Sequence, residues 1–186
     1  MVKELIRFIY VIAGNLHRAW MIPLMGHYSR HPEKYSERFR YEYNKHAIRL
    51  MNHTGRIYTQ AYGAENLPKD GGYVMFANHQ GKYDALGIML THEEPCSVVM
   101  DEARSKMPLV KQFIDMVGGK RLCLHDLRQA ARVIREVSKE VEYGRKYIIF
   151  RQAVIAIAMA IMWMCLRRAA LRVPCVRKHR LYRLRW

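Results

Sequence analysis

The sequence predicts an α/β fold, a partial and largely parallel sheet with flanking helices, preceded by an N-terminal pair of amphipathic helices. Two observations indicate this fold class. Beyond residue 54, short apolar runs that suit buried strands alternate with segments of helical period, an order typical of parallel strands joined by helices. Before that residue only the helical period occurs. The length of 186 residues allows one domain with a substantial core.

The first helix is predicted over residues 4–25, where apolar side chains recur at helical spacing between scattered polar ones. Tyr10 and Trp20 suit the level of lipid headgroups, and Arg7 and Arg18 suit contact with anionic lipid. The segment therefore predicts contact with a membrane surface. The alternative is an ordinary amphipathic helix that packs on the domain.

The second helix is predicted from Ser36 to Asn52. Its predicted apolar face carries the side chains Phe39, Tyr43, Ala47 and Leu50. We therefore assign residues 1–54 to a pair of N-terminal helices next to the membrane and residues 55–150 to the core with the sheet.

Four segments of the core are predicted as strands: "RIYTQAYG" (56–63), "YVMFAN" (73–78), "CSVVMD" (96–101) and "KYIIF" (146–150). One helix is predicted in "MPLVKQFIDMVG", which Gly118 closes. Another is capped by Asp126 and runs through Tyr143 to Gly144. A parallel sheet of this kind places its functional site at the carboxyl ends of its strands.

The segment "NHQGKYD" follows the apolar run "YVMFAN", at one of these strand ends. It contains His79 and Asp84, which four residues separate. A histidine at that place can take a proton from a hydroxyl group, and a nearby carboxylate can orient the imidazole and stabilise its cation. The pair alone is a weak signal, since a capping Asp and a polar turn His would give the same letters.

The neighbouring residues strengthen the signal. "NHQGKYD" resembles the His-x-x-x-x-Asp motif of the 1-acylglycerol-3-phosphate acyltransferase family, and Asn78, Gln80 and Lys82 are its candidate substrate-binding residues. About 35 residues later, "MVGGKRL" resembles the second block of that family, in which an Arg binds the substrate phosphate. Arg121 matches that Arg, and Lys120 is a candidate second cation. The resemblance covers roughly residues 55–150.

The resemblance implies transfer of a fatty acyl group from acyl-CoA or acyl carrier protein to the free hydroxyl of a lysophosphatidate-type acceptor, in phospholipid biosynthesis. His79 would be the general base and Asp84 its orienting partner. The family needs no covalent enzyme intermediate, cofactor or metal. It also implies a peripheral or monotopic position at the cytoplasmic face of the membrane.

The composition changes abruptly after Phe150. Of the formal net charge of +16, residues 151–186 supply nine Lys or Arg and no Asp or Glu, leaving residues 1–150 with a net charge of +7. After Arg151 and Gln152 come fourteen uncharged residues, Ala153–Leu166, fewer than the ~20 of a membrane-spanning helix. Of the family's third block, Phe-Pro-Glu-Gly, only Phe150 is present. The C-terminal half of the family fold is therefore missing from the sequence.

Three interpretations of residues 151–186 follow: a helix that inserts into a membrane, a buried helix, or translation in a different reading frame. The third can be examined with the genetic code. When the last nucleotide of each codon is read with the first two of the next, residues 159–165 become Gly, two residues that are polar or Tyr, and Val-Asp-Val. The apolar segment would thus encode a polar one.

The same shifted frame permits Val-Pro-Val-Ala-Leu over residues 181–186, which is close to the last motif of the family. Directly after Phe150 it permits Pro and, two places later, Gly, although it does not permit the Glu between them. We therefore predict that the loss of one nucleotide near the Phe150 codon has replaced the second half of an acyltransferase.

A function of another class remains open. The Arg-rich tail, with Tyr182 and Trp186 between its arginines, suits a non-catalytic basic protein that binds anionic membrane or nucleic acid. Because the charge begins at the compositional boundary, we favour incidental charge and expect no specific nucleic acid. The four cysteines are widely spaced and lack metal-site spacing, which predicts reduced thiols and no metal.

Overall fold

The computed structural model describes residues 9–78, 81, 83–107, 109–123 and 126–150. Its helices are α1 (residues 9–14 of the described chain), α2 (Met21–Arg30), α3 (Glu37–Gly55), α4 (Asp84–Thr91), α5 (Glu102–Ser105), α6 (Val110–Met116) and α7 (Leu127–Glu142). Its strands are β1 (Tyr73–Ala77), β2 (Cys96–Asp101), β3 (Lys120–Leu122) and β4 (Lys146–Phe150). Short 3-10 helices cover Leu16–Arg18 and Ala64–Asn66.

The four strands form one parallel sheet in the order β1-β4-β2-β3. The predicted α/β fold with a parallel sheet and flanking helices is therefore confirmed. Strand β4 lies inside the sheet, with Ile148 paired to Met75 of β1 on one side and to Val98 of β2 on the other. Its apolar sequence "KYIIF" suits this position, because an internal parallel strand is buried on both faces.

Two hydrophobic layers cover the two faces of the sheet. Successive strand residues alternate between them, so that Ile148 packs in the first layer and Ile149 in the second. Helices α2, α3, α4 and α6 supply the first layer, and α7 supplies the second. Because Tyr41 and Ile48 of α3 lie in the same core as the strands, the boundary near residue 54 separates elements that share one core.

Helix α7 forms as predicted. The Asp126 carboxylate accepts hydrogen bonds from the backbone N–H groups of Arg128 and Gln129, at 2.9 and 3.0 Å, which satisfies two free donors of the first turn. Gly144 ends the helix with a φ of +93°, a conformation that favours glycine. Helix α6 also ends as predicted, at Gly118 with a φ of +62°.

The strand predicted for "RIYTQAYG" is wrong: residues 57–63 have no regular secondary structure. Its side chains do alternate between partly buried and exposed positions, and Tyr58 and Tyr62 are exposed. Among the described residues, however, the segment pairs with no strand, and β1 pairs with β4 instead. The alternation of these side chains therefore reflects an extended chain that lies on the surface. A β-strand also requires a neighbouring strand to which it can hydrogen-bond.

The single helix predicted over residues 4–25 is interrupted. Asn15 ends α1 by donating from its side-chain amide to the Val11 carbonyl, at 2.7 Å, which is the local competition that disfavours Asn within helices. Helix α2 begins at Met21, so that Pro23 lies in a first turn, where a missing N–H costs least.

Helix α3 begins as predicted, with Ser36 accepting a hydrogen bond from the Phe39 N–H at 3.2 Å. The predicted apolar face is partly wrong, because Phe39 is exposed and the buried side is centred on Tyr41, Asn44 and Ile48. Phe39 instead packs against Tyr28 of α2, with ring centroids 5.3 Å apart.

Candidate active site

The described part of the "NHQGKYD" segment is a turn between β1 and α4. Asp84 is the first residue of α4 and is buried, and its Oδ2 accepts a hydrogen bond from the Gly81 N–H at 2.8 Å. A carboxylate at the first turn of a helix is also favoured by the helix dipole. Asn78 is exposed directly after β1. His79, Gln80 and Lys82 lie outside the described residues.

Tyr83 fastens this turn to the N-terminal part of the chain. Its hydroxyl oxygen accepts a hydrogen bond from the Asn52 side-chain amide of α3, at 2.5 Å, and lies 2.9 Å from the Thr59 hydroxyl. The start of α4 is thereby held by α3 and by the segment that follows it. This contact was not predictable from the sequence, because a Tyr in a polar motif carries no signal of its partner.

The register of the sheet decides what lies next to this turn. Phe150 pairs with Ala77, so that β1 and β4 end side by side, about 4.8 Å apart. The chain therefore leaves β4 directly beside Asn78, the residue before His79. Whatever sequence follows Phe150 begins at the edge of the sheet where Asp84 is buried.

Arg121 lies on β3, and its side chain is on the face of the sheet that carries α4. Its Nε donates to the Ser105 hydroxyl at 3.1 Å, and its Nη2 forms an ion pair with Asp115 of α6. Burial alone would raise the pKa of Asp115, but hydrogen bonds from Arg121 and Lys111 keep that pKa below its usual value. The candidate phosphate-binding Arg121 is thus held by a carboxylate.

Lys120 lies on the opposite face of the sheet, beneath α7, since adjacent strand residues point to opposite sides. Its ammonium is 2.7 Å from Glu140 and 3.3 Å from Glu136. Burial alone would lower the pKa of Lys120, but these two carboxylates raise it. Lys120 and Arg121 are therefore neighbours in sequence that the structure does not bring together.

Glu140 joins three elements beneath α7. It accepts hydrogen bonds from Lys120, from Arg145 and, at 2.5 Å, from the Tyr147 hydroxyl. Burial would raise the pKa of Glu140, but these donors lower it to about 2. Arg145 also forms an ion pair with Glu37 of α3, at 2.9 Å. This ion pair links the N-terminal helices to the residue that precedes β4.

We predict that Glu140→Gln lowers the free energy of unfolding at pH 7 by about 1–3 kcal/mol, since it weakens charged hydrogen bonds that are partly buried. The pKa of the carboxyl is depressed in the folded state, so its contribution is complete above about pH 4.5 and declines as the pH falls towards 2. Urea unfolding at a series of pH values should show the difference between the two proteins narrowing below pH 4.5. Glu142→Gln, at an exposed position of the same helix, is the control, and a pH-independent difference would contradict the prediction.

Two features that would bear on the site are absent from residues 9–78, 81, 83–107, 109–123 and 126–150. No helix in these ranges is long and apolar enough to cross a bilayer. Within the same ranges, no group of three or more His, Cys, Asp or Glu side chains is arranged to hold a metal ion.

The fold and the turn define an α/β protein whose candidate site lies at the carboxyl edge of a parallel sheet. Comparison with known families then gives its class: the acyltransferase family model matches residues 59–179, about two thirds of the chain. The chain belongs to this family, that of the 1-acylglycerol-3-phosphate acyltransferases, which confirms the resemblance at this level. No curated protein and no solved structure matches significantly.

The matched range extends beyond Phe150, and therefore does not mark that residue as the end of the family sequence. The change of reading frame at Phe150 stays a prediction. Residues 151–186, including the Arg-rich tail, lie outside the described residues.

Proposed function

We propose that the chain derives from an enzyme that moves a fatty acyl group from acyl-CoA or acyl carrier protein to the free hydroxyl of a lysophosphatidate-type acceptor. The observation that carries this proposal is the buried Asp84 at the turn after β1, in a chain that belongs to the acyltransferase family. The Gly81 N–H fixes one oxygen of this carboxylate, which limits its rotation.

In the proposed reaction, His79 takes the proton of the acceptor hydroxyl as its oxygen attacks the thioester carbonyl. Asp84 orients the imidazole and stabilises the imidazolium that forms. The tetrahedral intermediate then expels the donor thiolate as the carbon–sulfur bond breaks, and His79 returns the proton to that sulfur. Atoms and charge balance without a cofactor or a covalent enzyme intermediate.

The acceptor phosphate requires cations or N–H donors near this turn. Asn78, Gln80, Lys82 and Arg121 are the candidates from the sequence. Arg121 lies on the face of the sheet that carries α4, but would have to exchange Asp115 for the phosphate. The loss of the family's third block removes further donors from the edge beside Asn78. We therefore propose that the 186-residue chain has little or no turnover.

The transfer of a labelled acyl group to lysophosphatidate tests this function. Phosphatidate should form with a chain whose reading frame is restored. Release of the labelled acyl group from the donor at an equal rate with lysophosphatidate and with an acceptor that lacks the hydroxyl would contradict the proposed function. The nucleotide sequence tests the frame separately: the shifted frame should remain open from the Phe150 codon past the codon of Trp186. A stop codon in that interval would contradict the proposed frame change.

We further propose that the protein lies on the cytoplasmic face of a membrane through an N-terminal apolar surface. This surface consists of the exposed side chains Ile9, Tyr10, Ile12, Leu16 and Trp20. Its position supports the proposal, because the buried Val11 of α1 packs against Gly55 at the end of α3, one turn from Asn52. Asn52 holds Tyr83, so the surface and the candidate site lie at the same end of the sheet.

We predict that Leu16→Glu weakens binding to neutral phosphatidylcholine vesicles by at least about tenfold, because burial of one large apolar side chain is worth about 1.5–3 kcal/mol. Neutral lipid removes the electrostatic attraction that the Arg-rich tail would add. Vesicle sedimentation measures the bound fraction. Tyr143→Glu, at an exposed residue that follows α7, is the matched control, and unchanged binding by Leu16→Glu would contradict the proposed surface.

A further inference from the structure

The outer side of α7 carries a row of four basic side chains, Arg128, Arg132, Arg135 and Lys139, which we call the α7 basic face. Their spacing of four, three and four residues keeps all four within about 60° of helix circumference. All four are exposed. They lie opposite the buried side of the helix, which packs on the second layer of the core.

This arrangement of charges does not stabilise the helix. Arg128 lies in the first turn, where the helix dipole disfavours a positive charge. Arg128 and Arg132, like Arg135 and Lys139, are like charges one turn apart, and such pairs destabilise a helix.

The nearby carboxylates do not neutralise the positive charge of the α7 basic face. Glu136 and Glu140 on the same helix form ion pairs with Lys120. Glu142, at the C-terminal end, is the one carboxylate of α7 that borders the face without an ion pair to any described residue. Within the described chain, no carboxylate forms an ion pair with the four basic side chains.

The position of α7 favours an anionic partner from solution rather than the membrane. The helix covers the second layer, whereas α3, which carries α1 and the N-terminal apolar surface, covers the first. A chain that lies on a bilayer through that surface therefore presents α7 on the other side of its sheet. The N-terminus of α7 follows β3 and thus lies at the carboxyl edge, where Asp84 is buried.

We propose that the α7 basic face docks an acidic acyl carrier protein, so that the acyl donor is the carrier-protein thioester. The inference rests on the proposed function, because only an acyl transfer requires this partner. The row extends over eleven residue steps, about 16 Å along the helix, a length that matches an acidic helix and exceeds a single phosphate group. Complementary charge of this kind steers and orients a protein partner.

Direct binding tests the inference without requiring turnover. Fluorescently labelled acyl carrier protein is titrated with the full 186-residue chain and with the double variant Arg132→Glu/Arg135→Glu. Charge reversal should weaken binding at least tenfold and reduce its salt dependence. The variant Arg132→Lys/Arg135→Lys should bind like the parent chain. Arg38→Glu/Arg49→Glu, at exposed positions of α3, is the matched control and should change the Kd less than twofold.

Equal binding by the parent chain and the Arg132→Glu/Arg135→Glu variant would overturn the inference, as would binding of acyl-CoA but not of the carrier protein. Charge reversal that weakens binding to RNA or anionic vesicles but not to the carrier protein would also overturn it. Circular dichroism confirms that each variant is folded. Failure of the carrier protein to bind leaves the proposed function standing with acyl-CoA as donor. Absence of transfer by the frame-restored chain with either donor, despite carrier-protein binding, contradicts the proposed function alone.

Discussion

Insertion of one nucleotide directly after the Phe150 codon is expected to raise the rate of acyl transfer to lysophosphatidate by at least about 100-fold. The insertion restores the frame in which the sequence after "KYIIF" is predicted to continue the family. Removal of fixed donors for a developing or bound negative charge typically costs this much or more. The gain should appear in single-turnover rates measured with purified protein.

The sheet gives the physical reason for so large an effect. Strand β4 lies between β1 and β2, and its last residue, Phe150, pairs with Ala77. A change of sequence after Phe150 therefore begins about one strand spacing from Asn78, at the candidate site itself. The end of β3, at the opposite edge of the sheet, lies three strand spacings from β1, and the same change there would begin far from Asn78.

Insertion of three nucleotides at the same place is the matched control, because it adds one residue and keeps the present frame. That protein should remain as inactive as the 186-residue chain. Two outcomes would contradict the expectation: transfer by the 186-residue chain at the restored rate, or equal activation by one and by three nucleotides.

Substitution of Asp84 by Asn in the frame-restored chain is expected to lower kcat by about 10²–10⁴-fold. Asn keeps the size of the side chain and can still accept from the Gly81 N–H, but it lacks the charge that stabilises an imidazolium. Because Asp84 is buried, water screens this charge little. The KM for the acceptor should change much less than kcat, since the charge acts on the reaction through His79.

Asp70→Asn, in the exposed loop before β1, is the control and should keep the parental rate. The Asp84→Asn protein must also unfold within a few degrees of the parent. A folded Asp84→Asn protein with unchanged kcat would exclude the proposed role of this carboxylate.

The parts of the fold that depend on local signals were predictable from the sequence. The apolar runs at "YVMFA" and "KYIIF" became strands, because a buried parallel strand needs a continuous apolar stretch. Asp126 and Gly144 mark the ends of α7, because each satisfies the backbone of one helix terminus locally.

The parts that depend on distant partners were not predictable. Residues 57–63 have the alternation of a strand, but they pair with no described strand, and alternation alone does not indicate whether a partner strand exists. The insertion of β4 between β1 and β2 is a crossover that no local pattern records.

The candidate site shows the same division. The spacing of His79 and Asp84 predicted the turn, and Asp84 is buried there. The partners of Tyr83 lie 31 and 24 residues away in sequence, so the contact is invisible before folding. The pair Lys120–Arg121 suggested joint phosphate binding, but strand geometry sends the two cations to opposite faces of the sheet.

The rate of acyl transfer by the frame-restored chain with His79→Ala is the most direct measurement of the proposed chemistry. It should be determined beside His46→Ala, which removes an exposed imidazole from α3. We predict that His79→Ala lowers the rate of phosphatidate formation by at least about 100-fold, while His46→Ala leaves it unchanged. Transfer at the parental rate by a folded His79→Ala protein would contradict the role of His79 as the general base.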